Sequence, residues 1–101
     1  NMQGLQQDKI LLFLTINQRL FRDAVLFDLL QQKDIEFAGE SSFGAETLER
    51  LEACGAKSLI IEENLPDIDG LTISEMALSR NPALSIILLV DQPIGQHRHA
   101  I

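Results

Sequence analysis

A doubly wound parallel α/β sheet is the fold class this sequence predicts, and three observations predict it. Residues 9–15 (KILLFLT), 58–62 (SLIIE) and 85–90 (SIILLV) are short apolar runs. They suit strands rather than helices in length, and their lack of alternation marks strands buried on both faces. The segments between them carry apolar residues at helical spacing or turn signals. The connections are only a few residues long, so the order is a strict β-α-β-α-β-α-β, which calls for a parallel sheet with helices on both faces.

In chain order, the 9–15 run is the first strand. Over residues 18–32, Leu20, Phe21, Ala24, Val25, Phe27 and Leu29 recur at three- and four-residue spacings, giving an amphipathic helix with Arg22, Gln31 and Gln32 on its polar face. Asp34 turns the chain into residues 35–39 (IEFAG), a short strand near an edge. Ser41 and Ser42 can cap a helix over 43–54, and Gly55 supplies its stop. After the 58–62 strand, residues 64–70 (NLPDIDG) form a loop by their Pro, Asp and Gly content. Thr72 and Glu75 have capping-box spacing, with Asp69 as the alternative cap, and the helix that follows stops at Arg80, before Asn81-Pro82. The 85–90 run is the last strand, and beyond Asp91-Gln92-Pro93 the pattern fades. Residues 1–101 are expected to be one domain with its core at 9–91, and Asn1-Met2 reads as a vector remnant.

Composition excludes several function classes. With 46% apolar and 23% charged residues, the chain reads as a soluble globular domain. No apolar run approaches a membrane span and no signal peptide is evident, so a cytoplasmic location is expected. The lone Cys54 cannot form an internal disulfide and reads as a buried structural thiol. A net charge of −7 repels phosphate backbones, so this segment is not expected to bind nucleic acid itself.

Ligands of open parallel sheets bind beyond the carboxyl ends of the strands. Those ends are Thr15-Ile16-Asn17, Glu62-Glu63-Asn64 and Val90-Asp91, with Glu62 the leading candidate. Pro66 and Gly70 shape the loop behind it. By residue type alone, Glu62 and Glu63 also read as solvated strand-end charges. Ile16-Asn17-Gln18-Arg19 contains no glycine, which removes dinucleotide and P-loop readings. His97 and His99 lie two apart without a third ligand and give no zinc site.

Leu59-Ile60-Ile61-Glu62 followed by Leu65-Pro66-Asp67-Ile68-Asp69-Gly70-Leu71 resembles the third strand and following loop of response-regulator receiver domains. Leu11-Leu12-Phe13 through Arg22, Ile35 to Glu40, and Gly44-Ala45-Glu46-Thr47-Leu48 resemble their first βαβα stretch, in the form found attached to helix-turn-helix transcription factors of the LuxR/NarL type. The resemblance covers residues 9–90 and implies a flavodoxin-like sheet of order 2-1-3-4-5, here truncated before the fifth strand.

In that family an aspartate at the strand end accepts phosphate, with proline four residues on and glycine eight on. Glu62 matches the phosphoacceptor, with Pro66 and Gly70 at the following positions. Ile16 and Asn17 match the acidic pair that holds magnesium. Val90 matches the switch Thr or Ser. The resemblance therefore implies an atypical, non-enzymatic receiver with no catalytic residue, no cofactor and Mg²⁺ binding lost or very weak. It would regulate an attached or partner output domain, a DNA-binding transcriptional one by family flavour, through protein contacts. The alternatives are a conventional phosphoacceptor using Glu62 or Glu63, and a small-molecule binder such as a flavin protein on the same fold. The last strand, from Ser85 to Val90, is expected as an exposed apolar edge through which the chain could dimerise.

Overall fold

The computed structural model describes residues 9–91. They form β1 (Ile10–Thr15), α1 (Arg19–Leu30), β2 (Ile35–Ser41), α2 (Gly44–Cys54), β3 (Ser58–Glu62), α3 (Gly70–Arg80) and β4 (Ser85–Leu89). The strands make one parallel sheet of order β2-β1-β3-β4. These are the predicted elements, in the order expected for the first four strands.

Side chains alternate across the sheet. Phe13, Leu59 and Ile61 point to the α2/α3 side, where they meet Leu48, Leu51, Ile73, Ala77 and Leu84 in one core. Cys54 packs against this core, half-buried, and its thiol is 3.8 Å from the Leu51 carbonyl. On the opposite face Leu12 and Leu14 are buried, and α1 lies over β1 and β2. It does not reach β3 or β4, so Ile87 is 58% exposed on that side. The outer edge of β4 has no partner among the described residues.

Several local expectations are corrected. β2 runs on to Ser41, past the predicted 39, so Ser41 is a strand residue and the N-cap of α2 is Phe43, which makes no side-chain cap. Ser41 still serves this corner, since the Phe43 N–H donates to its Oγ at 3.0 Å. The cap of α3 is Asp69, which accepts from the Thr72 N–H at 2.9 Å and the Thr72 hydroxyl at 3.0 Å, so the Thr72–Glu75 capping box does not form. Gly55 ends α2 as predicted, in the left-handed conformation at φ 69°. Arg22 is not on a polar outer face. Its side chain is 14% exposed and turns inward.

Candidate functional site

The carboxyl ends of β1, β3 and β4 converge, and the loops beyond them are held by named contacts. Ile16 follows β1 directly and is fully buried. Its N–H donates to the Ser41 carbonyl at 3.2 Å, and its own carbonyl accepts from Arg22 Nη1 at 2.8 Å. Asn17 is exposed. Its backbone N–H donates to Glu62 Oε1 at 2.7 Å, and its side-chain amide reaches the Ser42 carbonyl at 3.4 Å. Two of the predicted site residues, Asn17 and Glu62, are therefore joined directly. Ile16 contributes no polar atom but its main chain.

Glu62 is half-buried at the end of β3. Glu63 works through its backbone: its N–H donates to the Leu89 carbonyl at 2.9 Å and its carbonyl accepts from the Gly70 N–H at 2.7 Å. This fold-back brings Gly70 against the strand. A Cβ there would lie 2.2 Å from the Glu62 carbonyl oxygen, a contact only glycine avoids. Val90 is 51% exposed and offers only hydrocarbon. Pro66 is exposed in the loop between Glu62 and Gly70. An open cleft of about 590 Å³ lies between these ends, lined by Asn17, Phe21, Glu62, Asn64, Val90 and Asp91 among others.

Two supports of the site were not singled out from sequence. Asp67 accepts from the Gly44 N–H at 2.8 Å and the Ala45 N–H at 3.0 Å, so the β3–α3 loop caps the N-terminus of α2 from a distance. The Ala45 N–H, then that of Gly44, hold its carboxyl below the usual carboxylate range. Nothing local in the sequence signals a cap placed 23 residues away.

The second support is Arg22, which donates to Ser42 Oγ at 2.5 Å as well as to the Ile16 carbonyl. Its Nε faces Glu40 Oε1 at 3.0 Å. Neither atom makes an in-line hydrogen bond, so the contact is an ion pair. Arg22 shares a helix face with Val25, Leu26 and Leu29, and that spacing is a signal that could have placed it inward. Deeper still, Thr15 Oγ1 and Thr47 Oγ1 are 2.6 Å apart and buried, and Thr47 donates onward to the Phe43 carbonyl at 2.8 Å.

No group of three or more His, Cys, Asp or Glu side chains suited to a metal comes together among the described residues. No described helix is long and apolar enough to cross a membrane. His97 and His99 lie outside the described residues.

No family model matches the chain. Among curated proteins it is 26% identical over 81 residues to the uncharacterized transcriptional regulatory protein YhcZ of Bacillus subtilis (strain 168), covering 80% of this chain and 38% of that one. Among solved structures it is similar to the isolated REC domain of RcsB from Salmonella enterica serovar Typhimurium, at TM-score 0.80 and 20% identity, covering 92% of this chain and 70% of that one. It is also similar to the signal receiver domain of the putative response regulator NarL from Mycobacterium tuberculosis, at TM-score 0.73 and 23% identity, covering 86% and 72%. The match to the RcsB–DNA complex, at TM-score 0.80 and 20% identity, covers 86% of this chain and 46% of that one. The chain thus spans 38% of the curated relative and 46% of the RcsB chain in the DNA complex. At these identities the likeness is one of fold, and the fold is that of a response-regulator receiver domain, of which the described residues form four strands and three helices.

Proposed function

We propose that this chain is a receiver-type signalling module that works without phosphorylation. It regulates an attached or partner output domain, a DNA-binding transcriptional one, by protein contacts in the cytoplasm. The observation that carries this reading is the 2.7 Å hydrogen bond from the Asn17 N–H to Glu62 Oε1. The one carboxylate at the phosphoacceptor position is already engaged by the loop that would otherwise help hold a metal.

The residues do not fit Mg²⁺. That ion takes near-octahedral oxygen ligands and usually binds through one or two carboxylates. Ile16 is a buried hydrocarbon, Asn17 is neutral, and Glu62 has one oxygen occupied. Transfer of a phosphoryl group relies on such a metal to neutralise the phosphate oxygens, and Val90 has no hydroxyl to bind the product. The Glu62 carboxylate offers at most one charge and two oxygens, against the roughly two charges and three acceptor oxygens of a phosphate.

The test is an amide NMR titration with Mg²⁺, then with beryllofluoride. Resonances of Ile16, Asn17, Glu62 and Val90 are expected to stay fixed at millimolar metal. A saturable shift at those four residues would overturn the reading and make Glu62 or Glu63 a live phosphoryl or metal site.

We also propose that the outer edge of β4, which has no partner among the described residues, pairs with a second copy. Ile87 on this strand is 58% exposed and Val90, just beyond it, is 51% exposed. Light scattering that shows a monomer at high concentration refutes this.

A further inference from the structure

We propose that the cleft at the strand ends is a binding site for a small organic cation, an ammonium group carried on an apolar body. The proposal rests on the reading that this end of the sheet does not accept phosphate. The cleft has a volume of about 590 Å³, within the span of roughly 300–1,000 Å³ that small-molecule sites occupy. Three elements supply its lining. α1 contributes Phe21, the end of β3 contributes Glu62, and β4 with the residues just after it contributes Leu88, Val90 and Asp91.

The charged groups of this lining have one sign. Glu62 and Asp91 are carboxylates, and no lysine or arginine lines the cleft among the described residues. The Asn17 N–H engages Glu62 Oε1 at 2.7 Å and leaves Oε2 for a ligand. The start of α1 works against a cation. Gln18, its N-cap residue, lines the cleft without a side-chain cap, and the first turn of the helix holds no acidic residue. That helix end carries about +0.5 of a charge. Two carboxylates outweigh it, so the local field draws cations and repels anions. The rest of the lining decides between a metal and an organic cation. No three His, Cys, Asp or Glu side chains gather among the described residues to hold a metal. Hydrocarbon stands beside the carboxylates instead: Phe21 is 42% exposed, Val90 is 51% exposed, and Leu88 is half-buried. Such surface offers a metal ion nothing, but it covers the apolar body of an amine. The Phe21 ring adds attraction for an ammonium lying over its face.

The test titrates the isotope-labelled full chain, at constant ionic strength, with phenethylammonium and with 3-phenylpropionate, which pairs the same ring with the opposite charge. Saturable amide shifts at Asn17, Phe21, Glu62 and Asp91 are expected with the amine, with a dissociation constant on the order of a millimolar. The carboxylate should produce none. The double variant E62Q/D91N should keep the far-UV circular dichroism of the parent and weaken binding of the amine by roughly fivefold or more. Phe21→Leu keeps an apolar surface without the ring face and should weaken it by roughly twofold to fivefold. No saturable response up to about 10 mM amine, equal responses to the two probes, shifts centred elsewhere, or unchanged affinity in both variants would overturn the proposal. Mg²⁺ and beryllofluoride, titrated separately, tell the two readings apart. A saturable response to either at Ile16, Asn17, Glu62 and Val90 removes the reading beneath the proposal and the proposal with it. Silence toward both together with silence toward the amine refutes the cation site alone.

Discussion

Replacing Asp67 by alanine should loosen the whole strand-end site without touching Glu62. The carboxylate bonds the Gly44 and Ala45 N–H groups at 2.8 and 3.0 Å, and α2 has no cap of its own from Phe43. Loss of a capping side chain costs about 0.5–2 kcal/mol. Asp67 is exposed, so water will satisfy part of what is lost, and about 1 kcal/mol is expected. For a domain of this size that is a fall in Tm of roughly 4–8 °C. The effect has a sign in pH. The Ala45 and Gly44 N–H groups lower the folded-state pKa of Asp67 below its unfolded value. The stabilisation is therefore fully present above the unfolded value, about 3.9, and is lost as pH falls through the lower folded one. Urea denaturation of parent and variant, followed by circular dichroism, should give the full difference at pH 7 and about pH 5. The difference should narrow below about pH 4. No destabilisation at pH 7, or a difference that persists undiminished to about pH 2, would refute the capping role.

Other substitutions probe the remaining supports. Gly70→Ala forces a Cβ to within 2.2 Å of the Glu62 carbonyl oxygen and should cost at least about 1–3 kcal/mol, read from the denaturation midpoint. Thr47→Val leaves the buried Thr15 hydroxyl without its 2.6 Å partner and should cost about 1–3 kcal/mol by the same assay. Glu62→Asp draws the carboxylate back by about one methylene from the Asn17 N–H, and hydrogen exchange at that amide should accelerate while global stability changes by less than about 1 kcal/mol. An unchanged exchange rate would show that the 2.7 Å contact does not persist in solution.

The architecture was legible because buried parallel strands announce themselves by uninterrupted apolar runs. Residues 58–62 and 85–90 were placed within a residue of their ends, as was Gly55 at the stop of α2. The strand-end positions Asn17 and Glu62 were legible because an open parallel sheet must gather its loops at that end. What escaped was long-range in origin. The cap of α2 comes from Asp67 across the sheet end, so the nearby Ser41 and Ser42 were favoured instead. β2 ran past the predicted 39 because its pairing with β1 extends to the Thr15–Ser41 register, and only the partner strand reveals that. Arg22 was read as solvated by its charge, whereas its guanidinium has three partners at the β1–α1 corner.

The burial of Ile16 bears on how such a chain can change over generations. Its side chain is fully enclosed. A carboxylate at that position would have to give up its hydration, at a cost of several kcal/mol unless a cation paired with it. An aspartate at position 17 alone would stand beside the Glu62 carboxylate, which accepts from the backbone N–H of residue 17, and the two like charges would repel. Each such single change is unfavourable, and only several together would build an acidic pocket. On the proposed reading, Ile16 acts as a ratchet, which leaves selection free to improve the contact surfaces of the domain but not to open a metal site one residue at a time.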